Sequence, residues 1–159
     1  MKKQEKTNVM RILDQKKIPY ESYDYSDTDA ISGIEVASVL GQDPLQVFKT
    51  LVTVGASKRN YVFVIPVCCE LNLKEAAKTV GEKSIEMLKA KDLLPLTGYI
   101  HGGCSPIGMK KKFPTYVDES ACNFQRITVS SGTKGAQLLL SVDALLQFVQ
   151  AKTATLTVK

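Results

Sequence analysis

The sequence predicts an α+β fold with a mixed, largely antiparallel sheet, and three observations predict it. FKTLVTV (48–54) and YVFVIPV (61–67) are β-branched and aromatic runs joined by a short polar turn through Gly55 and Asn60, the pattern of a hairpin. Ser, Thr and Asn residues stand three positions ahead of acidic ones, or just ahead of apolar residues at helical spacing, in several places along the chain. Strands and helices then mix without the strict alternation of a parallel α/β protein. At 159 residues and 44% hydrophobic composition, one domain spanning 1–159 with a single sizeable core is expected.

In chain order, Thr7 caps a first helix carrying Val9, Met10, Ile12 and Leu13, with Lys16 and Lys17 at its C-terminal end and Pro19 as the stop. YESYDY (20–25) alternates like a strand. Ser32 and Glu35 form a capping box for a helix ended by Gly41, and Asp43-Pro44 starts a further turn. The hairpin strands are apolar on both faces, which predicts buried central strands. Asn72 and Glu75 read as a second capping box, for a helix ended by Gly81. Ser84 is expected to cap a helix running through Ile85, Met87, Leu88 and Leu93 to Pro95. Strands follow at TYVD, QRITVSS and AQLLLS, then a helix capped by Ser141 with Val142, Leu145, Leu146 and Val149 inward, and TATLTV as an edge strand.

Composition narrows the class. No run approaches the ~18 continuous apolar residues of a membrane span. The start MKKQEKTNVM has no apolar core behind its basic residues, so no signal peptide is read and a cytoplasmic protein without membrane association is expected. The four cysteines, Cys68, Cys69, Cys104 and Cys122, form no C-x-x-C pair, consistent with free thiols in a reducing compartment. A net charge of +5 suits a polyanionic partner such as RNA but is shared by many proteins without one.

The stretch TGYIHGGCSPIGMKKKFP (97–114) holds four glycines, the only histidine, a cysteine and three consecutive lysines. Glycines without a Cβ let a ligand approach backbone amides, and a turn of such amides polarises a carbonyl or phosphoryl oxygen. The Lys-Ser/Thr of a P-loop is missing, which rejects nucleoside triphosphates. Lys110, Lys111 and Lys112 read either as a solvated face or as a phosphate-gripping rim. Lys49, inside a strand whose neighbours predict burial, either snorkels to water or reaches a pocket mouth as a cation. Tyr25 and the turn at Ser130-Ser131-Gly132 offer hydroxyls. His101 and Cys104 invite a thiol nucleophile with its base, but nothing orients the one or lowers the pKa of the other. The usual zinc spacings are absent, and no cofactor is expected.

Taken together, Lys49 within FKTL, the GG-x-SP-x-G loop and the Ser130 turn resemble the YbaK/EbsC family, relatives of the editing domain of bacterial prolyl-tRNA synthetases. The resemblance spans essentially the whole chain and is nearest the Cys-tRNA(Pro) deacylase branch. It implies a curved, barrel-like sheet with surrounding helices. It also implies a trans-editing enzyme whose partner is proline tRNA carrying cysteine, with prolyl-tRNA synthetase as a second partner. In this branch the substrate's own thiol attacks the ester and leaves as a thiolactone. By the same resemblance Lys49, Gly102, Gly103 and Ser130 carry catalysis. Tyr25, Thr50, Ser105, Pro106 and Gly108 contact the aminoacyl end, while the assignment of Lys110, Lys111 and Lys112 to the acceptor stem rests on their charge more than on the family. Where relatives carry a bulky aromatic near the start of the second helix, this chain reads AISG (30–33), which bears on pocket size. His101 before the glycine pair departs from the family pattern and takes no role from it.

Three other readings stay open on the sequence. The chain could hydrolyse Ala-tRNA(Pro) with a positioned water, bind tRNA or a synthetase without turnover, or use Cys104 as a nucleophile.

Overall fold

The computed structural model describes residues 6–30 and 32–158. The Thr7 hydroxyl accepts the Met10 amide at 3.2 Å and opens α1 (Asn8–Gln15), whose Val9, Met10 and Leu13 are buried. Lys17, at φ 57°, turns the chain into β1 (Tyr20–Asp24). The expected box at Ser32 and Glu35 is complete in both directions and starts α2 (Gly33–Leu40), which Gly41 ends in the left-handed region. Asp43 makes only a turn, accepting the Leu45 and Gln46 amides, before β2 (Phe48–Gly55) and β3 (Asn60–Pro66) form the hairpin.

Asn72 caps α3 (Leu73–Val80) through its side-chain oxygen, but the predicted reciprocal bond is not made. The Asn72 amide donates instead to the Leu156 carbonyl at 2.6 Å, tying the helix to the C-terminal segment. The helix expected after Ser84 is also corrected. Residues Ile85–Met87 are a short strand, β4, paired with Thr53, Val54 and Gly55, and the helix, α4 (Ala90–Thr97), begins later and contains Pro95. An open strand edge on β2 outbids local helix signals there, because its unpaired backbone groups need partners.

After the glycine-rich stretch come β5 (Thr115–Asp118), a 3₁₀ turn at Glu119–Asn123, β6 (Arg126–Ser130) and β7 (Ala136–Ser141). Ser141 caps α5 (Val142–Val149), accepting the Ala144 amide at 3.2 Å. The closing strand is β8 (Lys152–Ala154), earlier than TATLTV suggests, with Thr157 making a single bridge to Leu71.

The α+β class with a mixed, largely antiparallel arrangement is what forms. The strands make two sheets rather than one, a three-stranded antiparallel sheet β1-β7-β6 and a five-stranded sheet β4-β2-β3-β5-β8 whose last two pairings are parallel. They meet where Val47, just ahead of β2, bridges Thr128 on β6. β3 explains why its sequence alternates so little. Val62 and Val64 face one core with α1, β6, β7 and α5, while Tyr61, Phe63 and Ile65 face a second core with α3 and Leu156. Burying each such side chain contributes about 1.5–3 kcal/mol, so both faces of this strand hold the fold.

Candidate functional site

β4 pairs with β2 only at Thr53, Val54 and Gly55, and β6 bridges the chain ahead of β2, at Gln46 and Val47, without forming a ladder on β2 itself, so the edge of β2 from Phe48 to Val52 has no paired strand. A cavity of about 540 Å³ opens along that edge. The Val52 carbonyl points to this side, accepting the Leu88 amide at 3.0 Å. By the alternation of an antiparallel ladder, the N–H and C=O of Thr50 point the same way, into the gap.

Four walls surround it. β2 supplies Lys49, Thr50 and Leu51, and α2 with the residue before it supplies Ser32, Gly33 and Val36. Met87, Leu88 and Leu93 make an apolar wall. His101, Gly102 and Cys104 of the glycine-rich stretch, and Ser130, Gln137 and Tyr25, complete the lining. Gly33 is required by packing, since a Cβ there would lie 2.5 Å from Val67 Cγ1, and this closeness brings α2 onto the cavity rim. Ile31, part of the AISG stretch, lies outside the described residues.

Lys49 is half-buried and has no carboxylate within ion-pair distance among the described residues, whose ion pairs are Lys6–Asp14, Lys78–Glu75 and Arg126–Glu21. Its charge acts on Cys69, opposing the burial that pushes that thiol up. The Thr50 Oγ1 is buried without a hydrogen-bond partner, an arrangement that costs about 1–3 kcal/mol and that a bound polar group would relieve. The Ser130 hydroxyl accepts the Gly132 amide at 3.2 Å and so holds its turn in place.

The glycine-rich loop is built by glycine geometry. The Gly103 amide donates to the Ile100 carbonyl at 3.0 Å and Gly102 has φ 89°, a type II turn with His101 at its first central position and glycine where a left-handed residue is needed. A Cβ on Gly103 would lie 3.0 Å from the Lys134 amide nitrogen, so the 100–103 turn packs backbone to backbone on the 131–135 turn that follows Ser130. The Tyr99 hydroxyl donates to the Ile107 carbonyl and staples the two ends of the loop.

Of the sequence-derived site residues, Lys49, Thr50, Tyr25, Gly102 and Ser130 line the cavity together. Gly103, Ser105, Pro106 and Gly108 do not. Gly103 sits against the neighbouring turn, and Ser105 is fully buried with its hydroxyl on the Ile107 amide. Pro106 and Gly108 line a separate cleft of about 210 Å³, whose rim carries Lys111 and Lys112 and whose floor includes Phe113, Phe148 and Val149. Lys112 also reaches the Gln150 side chain, and Lys110 lies along Gly98. These residues shape the loop or a second surface rather than the first cavity, because the chain turns away after the buried Cys104.

The thiols are sorted by burial. Cys104 is buried, and desolvation pushes it up to about 12, which leaves it a protonated thiol near neutrality. Cys68 is exposed and Cys69 half-buried in the turn after β3, so the pair does not fill core space as such small residues usually do. Among the described residues no His, Cys, Asp and Glu side chains are grouped so as to hold a metal ion. No helix among them is long and apolar enough to cross a membrane.

Sequence reasoning missed Gln137, the apolar wall from β4 and α4, and Lys134, whose side chain passes 3.2 Å from where a Gly102 Cβ would be. Only the Ser130-Ser131-Gly132 turn signal pointed toward that region.

Comparison with known proteins places this arrangement. A family model described as an aminoacyl-tRNA editing domain matches residues 28–148. A protein of Enterococcus faecalis (strain ATCC 700802 / V583), named as a candidate Cys-tRNA(Pro)/Cys-tRNA(Cys) deacylase EbsC, is 48% identical over 159 residues, covering 99% of this chain and 97% of that one. A solved structure described as a candidate trans-editing enzyme for prolyl tRNA synthetase superposes with TM-score 0.79 at 25% identity, over 88% of this chain and 87% of that one. A second, the hypothetical protein APE2540, shares the fold with TM-score 0.86 at 21% identity, over 94% of this chain and 99% of that one. The resemblance read from Lys49, the glycine loop and the Ser130 turn is therefore correct, and the chain belongs to the aminoacyl-tRNA editing domain family.

Proposed function

We propose that the chain is a trans-editing deacylase that removes cysteine from Cys-tRNA(Pro), and from Cys-tRNA(Cys) as well, with the aminoacyl ester held in the cavity beside β2. One observation carries the reading: the cavity gathers a cation, hydrogen-bonding groups and an apolar wall, yet its one thiol, Cys104, is held protonated by burial. A site with positioning groups and no competent nucleophile suits a substrate that brings its own.

In this mechanism the cysteinyl sulfur bonds to the ester carbonyl carbon, and the carbon–oxygen bond to the terminal ribose breaks. The products are a four-membered thiolactone and tRNA with a free hydroxyl, the thiol proton ending on the ribose oxygen. The developing oxyanion is stabilised by the Lys49 ammonium and by the inward N–H of Thr50. Tyr25, Gly102 and Ser130 hold the amino acid and terminal nucleotide, and a held near-attack geometry is worth effective molarities of about 10⁵ M or more. Gly103, Ser105, Pro106 and Gly108 serve by holding the loop. Lys110, Lys111 and Lys112 meet acceptor-stem phosphates. Prolyl-tRNA synthetase supplies the mischarged tRNA in the cytoplasm, a partner consistent with the description of the superposed trans-editing protein.

The test is deacylation of a panel of mischarged tRNAs. Cys-tRNA(Pro) is expected to turn over with thiolactone formed, and Lys49→Ala to lose about 10²–10³ in rate, the scale of one lost oxyanion donor. Turnover of Ala-tRNA(Pro) alone would exclude attack by a substrate thiol and favour hydrolysis. Salt-sensitive binding with an unchanged ester lifetime would favour a binding module.

A further inference from the structure

The proposed reaction moves one proton, from the attacking thiol to the departing ribose oxygen, and a carrier for it is identifiable. We propose that His101 takes that proton as sulfur bonds to the carbonyl carbon and returns it to the ribose oxygen as the ester bond breaks. This rests on the deacylase reading above.

The argument is one of position and of elimination. His101 lines the same cavity as Lys49, Thr50 and Ser130. Its place is fixed by the type II turn closed by the Gly103 amide on the Ile100 carbonyl at 3.0 Å, and by the seating of Gly103 on the Thr133 and Lys134 backbone. The ring is exposed, and no hydrogen bond or ion pair among the described residues engages it. Among the described residues, the other titratable groups that line the cavity or face this turn are Lys49 on β2, Tyr25 after β1, Cys104 on the same loop and Lys134 on the neighbouring turn, and no carboxylate lines the cavity.

None of these can do the work. An ammonium offers donors and no acceptor. Serine and tyrosine hydroxyls as a class do not give up protons near neutrality. Cys104 stays a thiol because burial pushes it up to about 12. Imidazole both accepts and returns a proton in the physiological range, which makes it the one side-chain type in this cavity suited to a cycle with no net proton change. Because the proton is borrowed and given back, no co-reactant is needed.

The experiment measures kcat and KM for Cys-tRNA(Pro) deacylation from pH 5 to 9 in the wild type and in His101→Gln, with melting temperatures of both as a folding control. Glutamine keeps a polar side chain on an exposed turn and cannot shuttle a proton. Expected are an acidic limb in the wild-type profile, a loss of about 10²-fold or more in kcat with little change in KM in His101→Gln, and disappearance of that limb in the variant. His101→Ala should behave alike. Retention of wild-type kcat by His101→Gln, or a slowed variant that keeps the acidic limb, would overturn the role of His101 while leaving the deacylase reading standing. A wild type inert on Cys-tRNA(Pro) would overturn both.

Discussion

Gly103 and Lys134 meet backbone to backbone: a Cβ on Gly103 would stand 3.0 Å from the Lys134 amide nitrogen and 3.1 Å from the Thr133 carbonyl carbon. This seam joins the loop bearing His101 and Gly102 to the turn that follows Ser130, so two walls of the cavity are packed against each other. Backbone cannot yield as a flexible side chain does. Gly103→Ala is therefore expected to destabilise the protein by about 1–3 kcal/mol and to cut deacylation well beyond what lost stability explains. Denaturant unfolding beside turnover at a temperature where both proteins are folded checks it, and an unchanged rate would separate the seam from the chemistry.

Thr50 separates stability from function in the opposite direction. Its hydroxyl is buried and unpartnered, so the near-isosteric Thr50→Val removes a desolvated polar atom while filling the same space. A gain of up to about 1 kcal/mol in unfolding free energy is expected together with weaker substrate binding. A variant both less stable and fully active would show that the hydroxyl is satisfied in solution and idle in the site.

The cavity thiol also carries a pH signature. Burial pushes Cys104 and Tyr99 each up to about 12, from ordinary values of 9.0 and 10.0. Above pH ~9 the unfolded chain gives up protons that the folded chain keeps, so their contribution is fully present below that pH and is lost as pH rises toward about 12. Urea midpoints should fall through this window in the wild type and fall less steeply in Cys104→Ser, which has no thiol to ionise. Iodoacetamide at pH 8 should label the exposed Cys68 and Cys122 and spare Cys104 in the folded protein.

Lys110, Lys111 and Lys112 lie outside the first cavity, and two of them rim the second cleft. Their proposed role is binding rather than chemistry. Replacing all three with alanine should raise KM for aminoacyl-tRNA, leave kcat nearly unchanged and reduce the salt dependence of binding by up to about three phosphate contacts. A fall in kcat at saturating substrate would place them in the reaction instead.

Much of this protein is legible in its sequence because it depends on local chemistry. The caps at Thr7, Ser32 and Ser141, the left-handed Gly41 and Gly81, and the hairpin at 48–66 follow from residues a few positions apart. Lys49, the glycine loop and the Ser130 turn are far apart in the chain, and it is the resemblance to a known family, not local chemistry, that groups them. What needed the tertiary structure was every question of pairing between distant segments. Ile85, Glu86 and Met87 became a strand because β2 offered an open edge, and the Asn72 amide left its own helix cap for Leu156. The strands divided into two sheets, and the gap along Phe48 to Val52 became the cavity. His101 faces that gap and Ser105 does not, since Gly103 anchors on Lys134 and the following residues bury themselves. Nearby residues set backbone conformation through sterics and caps, whereas the side chains that share one cavity are selected by long-range packing, which no short window of sequence contains.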